Sequence, residues 1–156
     1  MKNFWQHIKL LRPINLITSA FAMVVCASIL DGINDTKTLL ITILVVVCYN
    51  AAANAYNDVL DYKTDVINRP SRPLVTGHVK KRTALYLAII LFVIGSVLTL
   101  ELNRMAQFIA VGLALPIMIF YSKFLKGTPL IGNAAVAAIL GLAFIFSGAV
   151  YEQINI

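Results

Sequence analysis

Five long stretches of this 156-residue chain carry no charged side chain: 13–30, 38–57, 83–100, 105–122 and 127–151. Each is long enough to cross a hydrocarbon core of roughly 30 Å at about 1.5 Å per helical residue. No water is available inside a bilayer to satisfy backbone N–H and C=O groups, so a spanning segment must be a helix or a strand of a closed barrel. None of the five runs shows the alternation of a lipid-facing barrel strand. The fold class that remains is all-α: a multi-pass transmembrane bundle of about five helices, with 1–156 as one domain.

A 60% share of hydrophobic residues against 13% charged fits an integral membrane protein and no soluble class. The net charge of +6 would suit nucleic acid, but its distribution excludes that partner. With alternate loops on opposite sides, Lys2, Lys9, Arg12, Lys63, Arg69, Arg72, Lys80, Lys81, Arg82, Lys123 and Lys126 share one side, and only Lys37 and Arg104 take the other. By the positive-inside rule the amino terminus and the two basic loops are expected in the cytoplasm, and the protein in the cell inner membrane. The first run is entered through Arg12-Pro13 and has no small-residue cleavage site before Asp31, so it reads as a membrane helix and not a signal peptide. Cys26 and Cys48 lie in spans, without CxxC spacing, and read as packing residues.

Residues 1–12 form an amphipathic lead-in, with Phe4, Trp5, Ile8 and Leu11 opposed to Lys2, Lys9 and Arg12. Short turns are expected at 31–35 and 101–104, the latter with Glu101 and Arg104 as a solvated pair. The only long connector runs from about Asp58 to Arg82, and long ordered loops tend to carry function.

That connector opens with the chemistry. Asn57, Asp61 and Asp65 are spaced four apart, so on a helix they stack along one face, with Asn50 and Asn54 near the same stripe. Two carboxylates and an amide one turn apart suit a hard cation that takes its other oxygens from water and phosphate, as Mg²⁺ does. A solvated helix end with acids paired to Lys63, Arg69 or Arg72 is the plainer alternative. Five amides and acids at a membrane surface favour the binding site. Asp58 lies about 100° off the face and is the weaker candidate. In Asn68-Arg69-Pro70-Ser71-Arg72-Pro73 each arginine precedes a proline, which biases it to extended backbone. Three-residue spacing in a polyproline-like segment sets both guanidinium groups on one side, suited to an anion.

Asn57-Asp58-x-x-Asp61-x-x-x-Asp65 followed by Asn68-Arg69-Pro70-x-Arg72-Pro73-Leu74 resembles the first Asp-rich motif of the UbiA superfamily of intramembrane prenyltransferases. Arg12-Pro13 resembles that family's amino-terminal Arg-Pro. Residues 121–126, Tyr-Ser-Lys-Phe-Leu-Lys, with 129–133 are similar to its loop after the fourth helix. The Arg-Pro repeat is most similar to the branch making digeranylgeranylglyceryl phosphate, an ether lipid; quinone-pathway and chlorophyll-synthase-like members share much of it.

The resemblance implies Mg²⁺ on Asn57, Asp61 and Asp65, binding a polyprenyl diphosphate donor. It implies that Arg72, Lys126 and Arg12 neutralise the rest of the diphosphate, with Arg69, Tyr121 and Lys123 lining its pocket. The allylic cation left by the departing diphosphate would be captured by a lipophilic acceptor: a glycerol-phosphate ether lipid, or else a quinone precursor or chlorophyll-type molecule. The family's second Asp-rich loop has no counterpart after Asn133, where Glu152 is the one acid. The expectation is therefore an amino-terminal half that requires a second-half partner or self-association. The alternative is a truncated, non-catalytic membrane protein that binds lipid diphosphate. A cation pathway fits less well, because the acids gather at one membrane face.

Overall fold

The computed structural model describes residues 2–152. Met1, residues 153–156 and the side chains of Lys2 and Asn3 lie outside the described residues, as does the charge of Lys2 counted above. Seven helices follow one another: α1 Lys2–Leu11, α2 Pro13–Ile29, α3 Thr36–Leu60, α4 Tyr62–Asn68, α5 Lys81–Leu98, α6 Arg104–Leu125 and α7 Pro129–Val150. Every regular element among the described residues is helical, as the apolar runs require. Four of them (α3, α5 with the 3₁₀ turn to Glu101, α6 and α7) are each long and apolar enough to span a membrane. The fifth run, α2, has 17 residues and reaches spanning length together with α1, from which it is bent by 50°.

That bend has a local cause. Pro13 at the start of α2 cannot donate to the preceding turn, and Arg12 takes the left-handed conformation, φ 57° and ψ 70°. Such backbone costs about 1–2 kcal/mol for a residue with a Cβ. The broken end is held by α3: Asn54 Nδ2 donates to Leu11 O at 3.1 Å, satisfying a carbonyl that the helix break leaves free. Asn50 Nδ2 donates to Asn15 O at 3.3 Å and Ser19 Oγ at 3.1 Å. The two amides read above as part of a cation stripe are thus connectors between helices.

Helix α3 is the centre of the bundle. Its run of Ala51, Ala52 and Ala55, all buried, lets α5 approach closely through Ala84 and Ala88. A Cβ on Gly95 would lie 2.6 Å from the Tyr49 ring, so only glycine fits there. Tyr49 also hydrogen-bonds to Ser96 at 2.8 Å and meets Phe92 edge-on. One apolar core (Val45, Tyr49, Ile109, Phe146) lies toward the far end. The other, with Leu10, Val59, Leu74 and Val79, lies beneath the long connector.

Helix α6 is irregular for a reason visible in its sequence. Pro116 has no N–H and its ring crowds the carbonyl four residues back; the turn before it widens to π geometry over Phe108–Ala114. A second π turn spans Tyr121–Leu125 and is closed by Lys126 N–H donating to Tyr121 O at 3.0 Å. At the far end Glu101 pairs with Lys37 at 3.0 Å, across the bundle and not with Arg104 as the sequence suggested. Lys37, on the first turn of α3, reaches the end of α5 because the two helices pack side by side.

Candidate functional site

The connector read as a loop from Asp58 is helical almost to Arg69. Helix α3 runs to Leu60, and Asp61 interrupts it with φ −78° and ψ −1°, close to helical. Asp61 N–H donates to Asn57 O at 2.9 Å and Asp65 N–H to Asp61 O at 2.8 Å, so the four-residue stacking survives the break. Beyond it the chain turns back. Arg72 N–H donates to Arg69 O at 3.1 Å and Val79 N–H to Pro73 O at 3.1 Å, with Gly77 at φ 74°. Polyproline helix has no internal hydrogen bonds, so the extended Arg-Pro segment expected from the sequence is instead a compact turn. Burial of Leu74 and Val79 draws it against the helices.

This turn leaves both arginines lining one cleft but gives them different partners. Arg69 stays exposed, whereas Arg72 is 13% exposed and reaches Asp58 Oδ1 in a direct ion pair. Arg12 Nη2 donates to the same oxygen at 2.7 Å. Asp58, the residue set aside as off the face, is the buried anchor of both guanidinium groups. Arg72 Nη1 also lies 3.5 Å from Asp65 Oδ2. Lys126, delivered by the second π turn of α6, pairs with Asp61.

Two clefts flank this network. The larger, about 580 Å³, is lined by Asp61, Asp65, Arg69, Lys123 and Lys126, with Thr64, Asn68 and Ser122. The smaller, about 360 Å³, is lined by Lys9, Arg12, Asp58, Arg69 and Arg72 with the prolines between. The structure thus gathers Asp61, Asp65, Lys123 and Lys126 at one cleft and Arg12 and Arg72 at its neighbour, with Arg69 lining both and Asn57 lining neither. Tyr121 lines neither and contributes its carbonyl to the π turn. Asn68 and Ser122 fall inside the two motifs quoted above without being singled out there, and Lys9 carries no sequence signal as a site residue, because a lone lysine at a helix end is ordinarily just solvated.

Two buried side-chain oxygens here lack hydrogen-bond partners: Asn57 Oδ1 and Asp65 Oδ2. An orphaned acceptor inside a protein costs about 1–3 kcal/mol, which a bound cation offsets. Burial, and then the charge of Asp61, hold the Asp65 carboxyl above its usual range. Among the described residues no three His, Cys, Asp or Glu side chains group as a metal site; the oxygen set is two carboxylates and the Asn57 amide. That set fits Mg²⁺, which is ordinarily held by one or two carboxylates and completed by water and substrate phosphate.

The description of the UbiA prenyltransferase family matches residues 15–155. The chain belongs to the UbiA prenyltransferase family. It is similar to digeranylgeranylglyceryl phosphate synthase of Methanopyrus kandleri, 39% identical over 148 residues that cover 94% of this chain and 54% of that protein. It is likewise similar to the enzyme of the same name from Pyrococcus furiosus, 39% identical over 85% of this chain and 48% of the relative. A solved structure, described as concerning the biosynthesis of digeranylgeranylglyceryl phosphate synthase in membranes, superposes with a TM-score of 0.89 at 32% identity, covering 95% of this chain and 53% of that one. This UbiA chain therefore spans about half the length of the curated relatives it matches. Family membership and the apolar helices together make it an integral membrane protein.

Proposed function

We propose that this UbiA chain provides the donor-binding half of an Mg²⁺-dependent prenyltransferase that moves an isoprenyl group from a polyprenyl diphosphate to the hydroxyl of a lipophilic glycerol phosphate. The observation that carries the reading is the Asp65 carboxylate, buried with no hydrogen bond to Oδ2, at a cleft that Asp61, Arg69, Lys123 and Lys126 line with it, and the buried Asn57 oxygen without a hydrogen bond on the same helical stripe. The product named for the relatives is a glyceryl phosphate ether, which supports this acceptor class over a quinone precursor.

Asn57, Asp61 and Asp65 would hold Mg²⁺, which supplies positive charge to diphosphate oxygens when bound. Lys126, Lys123 and Arg69 would bind the remaining diphosphate charge and stabilise it as the allylic carbon–oxygen bond breaks. The bond's electron pair leaves with the diphosphate, and the acceptor oxygen forms the new carbon–oxygen bond and loses its proton. An apolar cavity of about 180 Å³ among Val46, Tyr49, Ala114, Met118 and Phe146 would exclude water from the isoprenyl chain.

The test is calorimetric. Geranylgeranyl diphosphate should bind the purified chain with Mg²⁺ and lose most of its affinity in EDTA or in Asp61→Asn. Prenyl transfer is then assayed with the chain alone and with a fragment supplying the rest of the length seen in the relatives. Metal-independent donor binding, or binding indifferent to Asp61, contradicts the reading.

A further inference from the structure

We infer that the smaller cleft, between the α1–α2 bend and the turn at 69–73, is a separate site for the phosphate of an acceptor lipid: a phosphomonoester on an alkyl chain, bound without metal. This deepens the glycerol-phosphate reading above and rests on it.

The two clefts differ in the sign of what lines them. The larger sets Asp61 and Asp65 against Arg69, Lys123 and Lys126, so its carboxylates repel an anion unless a cation intervenes. The smaller sets Lys9, Arg12, Arg69 and Arg72 against the single acid Asp58, which is 3% exposed and shared by two of the four cations. Asp65 adds a longer contact to Arg72 at 3.5 Å from outside the cleft, and two carboxylates still leave four cations in excess. Each guanidinium has five N–H donors, and the contact with Asp58 occupies few of them. A phosphomonoester carries about −1.5 to −2 charge near neutral pH, with oxygens that match the guanidinium fork.

The donors are also fixed before a ligand arrives. Arg72 is held by the Arg69–Arg72 turn and by Asp58, and Arg12 by the left-handed bend and the same oxygen. Fixed donors lose less entropy on binding than mobile surface lysines.

A further feature says that the anion carries a chain. An open groove lined by Trp5, Ile8, Pro13 and Ile14 shares Lys9 and Arg12 with the cationic cleft. A free phosphate would use the cleft alone; an alkylglycerol phosphate would place its headgroup on the arginines and its chain along the groove. Asn68 and Arg69 line both clefts, so the acceptor would sit beside the donor diphosphate, where its hydroxyl must be for transfer.

Binding is measured on the purified chain in uncharged detergent. The probes are a monoalkylglycerol phosphate, the corresponding dephosphorylated alcohol and inorganic phosphate, all in EDTA. Geranylgeranyl diphosphate is titrated in parallel with Mg²⁺. The alkylglycerol phosphate should bind without metal, at least about tenfold more tightly than the alcohol or inorganic phosphate. Lys9→Gln and Arg12→Gln should each weaken it by about tenfold, the size expected for losing one charge-assisted contact. Lys9 is exposed, so its variant tests the site even where Arg12→Gln unfolds. Lys37→Gln, at the other end of the bundle, should leave this affinity unchanged. A metal requirement, displacement by the donor in EDTA, equal binding of inorganic phosphate, or indifference to Lys9 and Arg12 overturns the inference. Failure of the donor to bind with Mg²⁺ while the alkyl phosphate binds as expected overturns the prenyltransferase reading instead, and leaves the lipid-phosphate site standing.

Discussion

Arg12 and Arg72 meet on the same oxygen of Asp58, although one lies at a helix break and the other sixty residues on in a loop. One buried carboxylate thereby ties α1 and α2, the end of α3 and the Arg-Pro turn into a unit, with Asn54 securing the same break from one turn earlier.

Removing the acid should therefore be worse than removing one base. Asp58→Ala leaves Arg12 without its carboxylate and Arg72 with only the longer contact to Asp65, and should cost about 3 kcal/mol, the low end for a broken buried pair because Arg12 is 32% exposed. Arg12→Gln keeps the Asp58–Arg72 pair and should cost less. Thermal unfolding of both variants in detergent checks the order, and equal losses would mean that Asp58 is not the hub.

Lys126 sits on Asp61, one of the proposed metal ligands. An ammonium there neutralises the carboxylate, and a bound diphosphate would compete for the lysine, so metal alone should bind poorly. Lys126→Gln should tighten Mg²⁺ binding in the absence of lipid while weakening donor binding with Mg²⁺ present. Calorimetry of both titrations decides it; a variant that loses both affinities, or neither, shows that the lysine does not guard the site.

Asp65 is pushed above the ordinary carboxylate range by burial and then by Asp61. In the pH window above the unfolded value the folded form stays protonated while the unfolded chain has ionised. Its stabilising effect is therefore present at low pH and is lost as pH rises through the shifted value. Two outcomes follow. Asp65→Asn should raise the unfolding temperature near neutral pH, with a smaller gain in mild acid, and it should also abolish metal-dependent donor binding. A variant less stable than the parent at neutral pH would show that Asp65 supports the fold and is not held in reserve for a ligand.

How far the sequence reaches is clear from these same residues. The helices were legible because uncharged length leaves few alternatives, and the Asn57–Asp61–Asp65 face because four-residue spacing survives a one-residue break. The roles of Asp58, Asn50 and Asn54 were not. Helical phase says which residues share a face, but not that a proline-bent neighbour presents a free carbonyl to Asn54 or a guanidinium to Asp58. The Arg-Pro segment misled for a related reason: proline bias is local, and burial of Leu74 and Val79 outweighs it.

Orientation can be tested directly. The acidic and basic clefts occupy one end of the bundle and the Lys37–Glu101 pair the other. Cysteines introduced at Asp35 and at Ser71 should label from opposite sides, with position 71 reached from the cytoplasm as the basic asymmetry expects. Labelling of position 71 from outside would invert the proposed topology.

Two glycines of α7 separate fold from site. A Cβ on Gly132 would lie 2.7 Å from the carbonyl oxygen of Leu125, a backbone atom that cannot step aside without moving the turn after the second π segment. Lys126 belongs to that turn. Gly132→Ala should thus lose stability on the order of 1–3 kcal/mol through overpacking, and should weaken donor binding by drawing Lys126 from its place. Gly141, on the same helix, has nothing within 4 Å of its would-be Cβ. Gly141→Ala should be neutral or gain up to about 1 kcal/mol from helix propensity alone, with donor binding intact. Unfolding and donor titration of the two variants side by side form the check. Should Gly132→Ala match Gly141→Ala in both, the close approach of α7 to the 125–128 turn would not be what positions Lys126.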